Sequence, residues 1–250
     1  GQGGTKGSTE ALSAAPDGCT LLALHESMIT SFLTGRVDYT WDAFEPVALM
    51  AYTPSIIGVS KDAPFNDLQE MIAKAKEAPQ SINTGATLGS NTHFLFIILE
   101  DETGIRLKYV PYEGTRDRIT ALLSGNIQMG EMNIITAQQY LAEDSLKAIG
   151  IATEERDPLL PELPTLKEQG VDLVYGTNRG VFLPKDTPAE VVAYWEGIFE
   201  KAAQDSAFVE ALGSQGTQVK YLGSDDYAAF MTEALEDHKK AAINLGLIEK

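Results

Sequence analysis

Residues 82–99 read INTGATLGSNTHFLFIIL. A short β-prone start gives way to glycines and small hydroxyl residues, and these open onto a purely apolar run. The order predicts strand, loop and helix. A helix start leaves its first N–H groups without intrahelical partners and carries about half a positive charge. A loop wrapped around such a start binds anions readily. No Lys follows Gly89, so the pattern G-x-x-x-x-G-K-[ST] is not met and a nucleoside triphosphate is disfavoured. What remains, with hydroxyls at Thr87, Ser90 and Thr92, suits a carboxylate. The same residues equally describe an ordinary capped helix, with Ser90 or Asn91 as the cap.

Outward from this stretch the pattern repeats. IRLKYVPY reads as a strand, TRDRITALLSG as a helix ended by Gly125, NIQMGEMN as a strand, TAQQYLAED as a helix and LKAIGIAT as a strand. LPTLKEQG reads as a short helix and VDLVYG as a further strand. From 82 to 175 the alternation predicts an α/β unit with a mostly parallel sheet, and ligands on such sheets lie beyond the carboxyl ends of the strands. Those ends fall at 85–92, 111–115 and 131–133. Earlier in the chain, FNDLQEMIAKAKEAP predicts a helix with Asn66 as N-cap. Later, TPAEVVAYWEGIFEKAAQ predicts the longest clear helix, with Val191, Val192, Trp195, Ile198 and Phe199 inward. Ser224 reads as the cap of the last helix, ahead of Tyr227 and Phe230.

An internal echo bears on domain organisation. IIGVSKDAPFNDLQEMIAKA and GVFLPKDTPAEVVAYWEGIF both run apolar strand, Lys-Asp-x-Pro, helix. They bracket the alternating segment, which predicts an inserted second domain reached by two crossing strands. The expected division is 1–60 with 180–250 for lobe one and 61–179 for lobe two. Lys-Asp-x-Pro is also good chemistry for any strand-to-helix turn.

Composition limits the function classes. The 250 residues are 44% hydrophobic and 22% charged, enough for one large domain or two smaller ones. No apolar run approaches the roughly 20 residues that span a bilayer, and FLFIIL at 94–99 is about a third of that length. A formal net charge of −17 opposes nucleic-acid and anionic-membrane partners. It also requires any small anion to be held locally. Cys19 is the only cysteine, so no internal disulfide and no multi-cysteine metal site can form, and its apolar setting predicts a buried, inert thiol. No signal peptide opens the chain, and GQGGTKG does not fit G-x-G-x-x-G because Lys6 takes the third glycine position.

Catalytic signals are sparse. His25, His93 and His238 are the three histidines, with no H-E-x-x-H and no G-x-S-x-G. His93, in the first turn of the opening helix, reads as a hydrogen-bonding wall residue. Neither metal nor cofactor is expected. Glu155, Arg156 and Asp157 read as a solvated charge run. Arg179, in TNRGVFLP, stands where the chain crosses back between the lobes, and its planar guanidinium suits either a carboxylate ligand or a structural salt bridge.

The blocks PDGCTLLAL, PVALMAYTPSIIGVSKDAP, LQEMIAKAKEAP, NTGATLGSNTHF, VPYEGTRDRITALLSGNIQ, ATEERDPLLPELPTLKEQG and RGVFLPKDTPAEV follow one another along the chain. Together the chain resembles the periplasmic solute-binding subunits of tripartite tricarboxylate transporters, the Bug/TctC-like receptors. V-P-Y-x-G and E-R-x-x-x-L-P-x-x-P-T-L-x-E-x-G are the most specific pieces. The resemblance implies a type II periplasmic binding protein: two α/β lobes joined by crossing hinge strands, with a carboxylate in the cleft. It implies ligand contacts from Gly85, Ala86, Thr87, Ser90, Asn91 and Thr92, from Asn133, and from Ser27 and Thr53 at strand ends of the other lobe. Arg179 would favour a ligand with an additional carboxylate, and Glu131 a hydroxyl or ammonium group. The family begins with a further strand and Gly-rich turn, and this chain starts after them, so that first strand–helix unit is expected to be absent here.

The function implied is non-enzymatic: a monomeric periplasmic receptor that captures a di- or tricarboxylate and passes it to membrane permease subunits. Two other readings stay open, a ligand-sensing subunit for a membrane kinase and a periplasmic hydrolase using His25 or His93.

Overall fold

The computed structural model describes residues 4–249. The Gly-rich opening 1–3 lies outside the described residues. Two compact units divide the chain, Gly1–Thr53 with Thr177–Lys250 as unit one and Pro54–Gly176 as unit two.

Unit one begins with α1 (Thr5–Leu12), β1 (Leu22–His25), α2 (Ser27–Leu33), a single 3-10 turn and β2 (Phe44–Pro54). Unit two follows with β3 (Ile56–Ser60), α3 (Leu68–Glu77), β4 (Asn83–Ala86), α4 (Asn91–Thr103), β5 (Lys108–Pro111), α5 (Thr115–Leu123), β6 (Met129–Met132), α6 (Ile134–Ala142) and β7 (Leu146–Ile151). The chain returns to unit one through β8 (Gly176–Pro184), α7 (Ala189–Ala203), α8 (Ser206–Gly213), β9 (Gln218–Leu222) and α9 (Ser224–Asn244).

The sheet of unit one has the order β1-β8-β2-β9. β1 lies antiparallel to β8, with His25 opposite Arg179, and β2 lies antiparallel to β9. Its apolar face is built from Val47, Ala48, Met50, Val181 and Leu183, against which Val192, Trp195, Phe199 and Phe208 pack. Phe44, Phe182 and Tyr227 form a buried aromatic chain with centroids 6.3 and 5.1 Å apart. No residue of α7 is fully buried, and Ile198, expected inward, is 36% exposed. The helix rides on the sheet with a narrower face than its sequence suggests.

The sheet of unit two has the order β5-β4-β6-β3-β7. β4 pairs in parallel with both β5 and β6, as the helix crossovers require, but β3 is antiparallel to β6 and β7. β3 enters from β2 through one residue, Ser55, with no crossover helix to set its direction, so the sheet is mixed. Because β3 belongs to this sheet, unit two starts at Pro54 instead of residue 61, and it ends at Gly176 instead of 179. The core gathers Ile56, Ile119, Leu122, Ile127, Met132, Ile134, Leu146 and Ile151. The middle of α4, 94–99, is apolar all round and is buried accordingly at Phe94, Leu95, Phe96, Ile97 and Leu99.

Several local expectations are corrected. The cap of α3 is Asp67, whose carboxylate accepts from Glu70 N at 2.8 Å. Asn66 instead donates its own N–H back to Glu70 Oε2 at 2.8 Å, so the two sides form a reciprocal box. Gly223 caps α9, and Ser224 is its first residue, donating its hydroxyl to Pro46 O. LPTLKEQG forms turns, held by Thr165 N to Glu168 Oε2 and Glu168 N to Thr165 Oγ1, and 171–175 stays outside the ladder until β8 begins at Gly176. Asp157 is buried, its carboxylate accepting from Leu159 N, so it organises a turn and is no solvated charge. Cys19 is exposed, because it lies in the turn after Gly18 and before β1, with its N–H on Asp17 Oδ1.

Candidate functional site

The strand–loop–helix at 83–103 forms as its sequence dictates. β4 ends at Ala86, the loop turns at Gly89 in the left-handed region (φ 70°), and α4 starts after Ser90. The loop is pre-formed by its own hydroxyls. Ser90 Oγ donates to Thr87 O at 2.7 Å and lies 3.0 Å from Thr92 Oγ1, which in turn accepts from Thr87 N at 3.2 Å. Thr87 Oγ1 donates to Tyr112 O at 2.7 Å, so this hydroxyl points to the V-P-Y-x-G turn and ties the two strand ends together.

His93 completes the loop from the helix side. Its Nδ1 accepts from Gly89 N at 3.1 Å, and its ring meets Tyr109 edge-on at 4.5 Å. Burial lowers its pKa to about 4, so the ring is neutral at physiological pH. It is a wall residue, as expected. Tyr109 OH donates to Glu100, whose carboxyl is raised by burial and accepts from Leu107 N. The result is a hydrogen-bonded backing of His93, Tyr109 and Glu100 behind the helix start.

Beside this loop is a feature that the sequence reading did not single out. Arg118, on α5, is 1% exposed and donates from Nη2 to Glu131 Oε2 at 2.7 Å and from Nε to Glu131 O at 3.1 Å. Glu131 was noted in sequence for its strand end, and the structure puts it in this ion pair. Arg118 had a legible signal: it stands one turn before Leu122 on the apolar face of its helix. Asn133 caps α6 through Oδ1, which accepts from Thr136 N at 2.9 Å.

In unit one the expected residues cluster around β1, β2 and β8. Arg179 Nη1 donates to Thr53 Oγ1 at 2.6 Å, and Thr53 Oγ1 lies 2.8 Å from Thr217 Oγ1. His25 faces Arg179 across the β1–β8 register, and burial, with the Arg179 charge second, lowers its pKa to about 4. Ser27 is the first residue of α2 and is 2% exposed, with its hydroxyl buried and without a hydrogen-bond partner. The structure therefore brings Thr53, Arg179 and His25 together and sets Ser27 beneath the surface.

Next to them, Glu26 is 3% exposed and accepts from Asn178 N and Nδ2. Asn178 Oδ1 accepts from Lys220, whose ammonium lies 5.4 Å from the Tyr52 ring centroid and 4.8 Å from that of Phe230. A cavity of about 620 Å³ elsewhere in unit one is lined by Glu45, Glu196, Asp225 and Asp226. Its charge suits no anion. Among the described residues no group of three or more His, Cys, Asp or Glu could hold a metal ion, and no helix is long and apolar enough to cross a membrane.

Comparison with known proteins places the chain in a family. The model for the tripartite tricarboxylate transporter family receptor, TctC, matches residues 1–247. The UPF0065 protein in the tcbD-tcbE intergenic region of Pseudomonas sp. strain P51 is 32% identical over 223 residues, which are 86% of this chain and 66% of that protein's length. Among solved structures, a TctC solute-binding protein from Polaromonas, without ligand, is 27% identical with a TM-score of 0.82. That match covers 98% of this chain and 84% of the other. MatC from Rhodopseudomonas palustris with bound malate is 28% identical with a TM-score of 0.81, over 96% and 85% of the two chains. Members of this family are solute-binding proteins and not enzymes, so neither His25 nor His93 is assigned a catalytic role. With residues 1–247 of the chain matched by the family model and two α/β units observed, this chain belongs to the TctC receptors of the tripartite tricarboxylate transporter family.

Proposed function

We propose that this chain is a periplasmic receptor for a small di- or tricarboxylate, which it delivers to membrane permease subunits for uptake. The pre-formed loop 85–92 at the start of α4 carries the reading. One ligand carboxylate is taken by the first-turn amides of α4 and the hydroxyl of Thr92, in a loop that the Ser90 hydroxyl holds in shape through Thr87 O, and the helix charge favours an anion. Gly85 and Ala86 bring the backbone up to it, Asn91 opens the helix, and Asn133 begins the helix after the neighbouring strand. In unit one, Arg179, held by Thr53, presents a planar fork suited to a carboxylate. The relative MatC, solved with bound malate, a dicarboxylate, supports that class of solute.

Titration calorimetry with succinate, malate, citrate and aspartate tests the proposal. Dissociation constants near 1 μM, about −8 kcal/mol, are expected for at least one of them. Ser90→Ala should weaken that ligand by about 0.5–1.5 kcal/mol, the worth of one hydrogen bond. Arg179→Ala should weaken dicarboxylates more than a monocarboxylate of the same chain length. Absence of binding by every acid at millimolar concentration, or an equal loss for mono- and dicarboxylates, would count against the reading.

A further inference from the structure

The Arg118–Glu131 pair is built with care that a surface ion pair does not need. Arg118 starts on α5 and reaches Glu131 by lying flat across β4 and β6, where Gly85 and Gly130 are register partners. A Cβ on Gly85 would come within 3.1 Å of Arg118 Cγ, and one on Gly130 within 3.2 Å of both Cγ and Cδ. Two adjacent strands thus lack side chains at the place where the arginine stem crosses them. Thr115 Oγ1 accepts a further bond from Nη2 at 3.3 Å.

The two ends of the pair differ in access. The Arg118 side chain is 1% exposed, whereas that of Glu131 is 15% exposed. A solute cannot reach the guanidinium, but it can reach the carboxylate. Register places Glu131 one residue beyond the Gly85–Gly130 pair, level with Ala86, where the loop of α4 begins. The carboxylate therefore sits at the same strand ends as that loop. Because Arg118 neutralises it, Glu131 adds a directed acceptor there without adding net charge, and the helix start keeps its attraction for an anion.

We propose that Glu131, pinned from beneath by Arg118, selects solutes that carry a hydroxyl or ammonium donor beside the carboxylate held at 85–92. This inference rests on the carboxylate-site reading above. A bare dicarboxylate offers the Arg118-paired carboxylate no further hydrogen bond, whereas an α-hydroxy or α-amino acid adds one from its own donor. Arg118 acts as a positioning residue and Glu131 as the specificity-determining one.

The test is calorimetry with malate, aspartate and succinate, which share one carbon skeleton and differ at one substituent. The unsubstituted chain should bind malate or aspartate at least tenfold tighter than succinate. Glu131→Gln should reduce that preference at least fivefold while changing the succinate constant less than threefold. The paired variant Arg118→Met with Glu131→Leu, which leaves no lone buried charge, should abolish the preference while circular dichroism shows it folded. Succinate binding as tightly as the other two, a preference that survives in either folded variant, or an equal loss for all three acids would overturn the inference. Failure of all three to bind the unsubstituted chain would instead refute the carboxylate site itself, and this inference with it.

Discussion

Gly85 is where the fold of unit two and its candidate site meet, and it gives a sharp stability test. A Cβ placed there would come 2.4 Å from Ile127 Cδ1, 3.1 Å from Arg118 Cγ and 3.3 Å from Tyr112 Cδ2. The first distance cannot be tolerated, and the other two are tight. Ile127 is fully buried, so its side chain has little room to move. Overpacking of this kind costs about 1–3 kcal/mol, and Gly85→Ala is expected in the upper half of that range. The atom at fault is the one that Ile127→Val removes. On its own that change should cost about 0.5–1.5 kcal/mol. In the Gly85→Ala background it relieves the worst contact, so the two substitutions should couple favourably by about 1–2 kcal/mol. Urea denaturation of the four proteins, followed by a probe in unit two, measures the cycle, provided that the slope with denaturant stays constant. Additive costs within about 0.5 kcal/mol, or a neutral Gly85→Ala, would refute the account of why this strand needs glycine.

Three further outcomes follow from buried polar groups. His25 has its pKa lowered to about 4 in the folded chain against an ordinary 6.5, so its contribution to stability is complete above pH 6.5 and falls away as pH drops toward 4. The loss should amount to about 2–3 kcal/mol for that ring, and His25→Asn should flatten the fall in unit one between pH 7 and 4.5. An unchanged pH profile would contradict it. His93 in unit two shifts in the same direction, but Glu100, raised by burial, opposes it as pH falls, so the net slope there should be shallower. Glu26→Ala removes the acceptor of Asn178 N and Nδ2 and leaves Lys220 without the nearby negative charge. We expect a cost of about 3–5 kcal/mol, read as a melting temperature lower by roughly 10 °C, with Glu26→Gln milder. A melting temperature within about 2 °C of the parent would show that the network carries no stability.

Much of this was legible where structure is local. Strand, loop and helix at 82–99 follow from side-chain type and order alone, and so do the alternation from 82 to 151 and the return through Lys-Asp-x-Pro to α7. What failed depended on partners distant in sequence. The direction of β3 is set by pairing with β6 and β7, which no local pattern records. Caps missed by one residue at Asp67 and Gly223, since neighbouring polar residues compete for the same first-turn amides. Asp157 and Cys19 were misjudged because burial in a loop depends on what the rest of the chain lays over it. At the site, the loop residues were read from composition, but Arg118 was missed although an arginine one turn from Leu122 on an apolar face was visible. Its meaning needed Gly85 and Gly130 to be recognised as neighbours, and only the sheet register supplies that.

The exposed turn at 16–20 has a practical consequence. Cys19 is the chain's lone thiol, and the carbonyl of the residue before it, Gly18, receives the indole N–H of Trp195 at 3.0 Å. A maleimide dye attached there would label each molecule once and rest beside a natural quencher, so its brightness would report any loosening of α7 from the turn before β1. In an oxidising medium the same sulfur would join two molecules covalently, and preparations kept without reductant should accumulate a band of twice the mass on non-reducing gels.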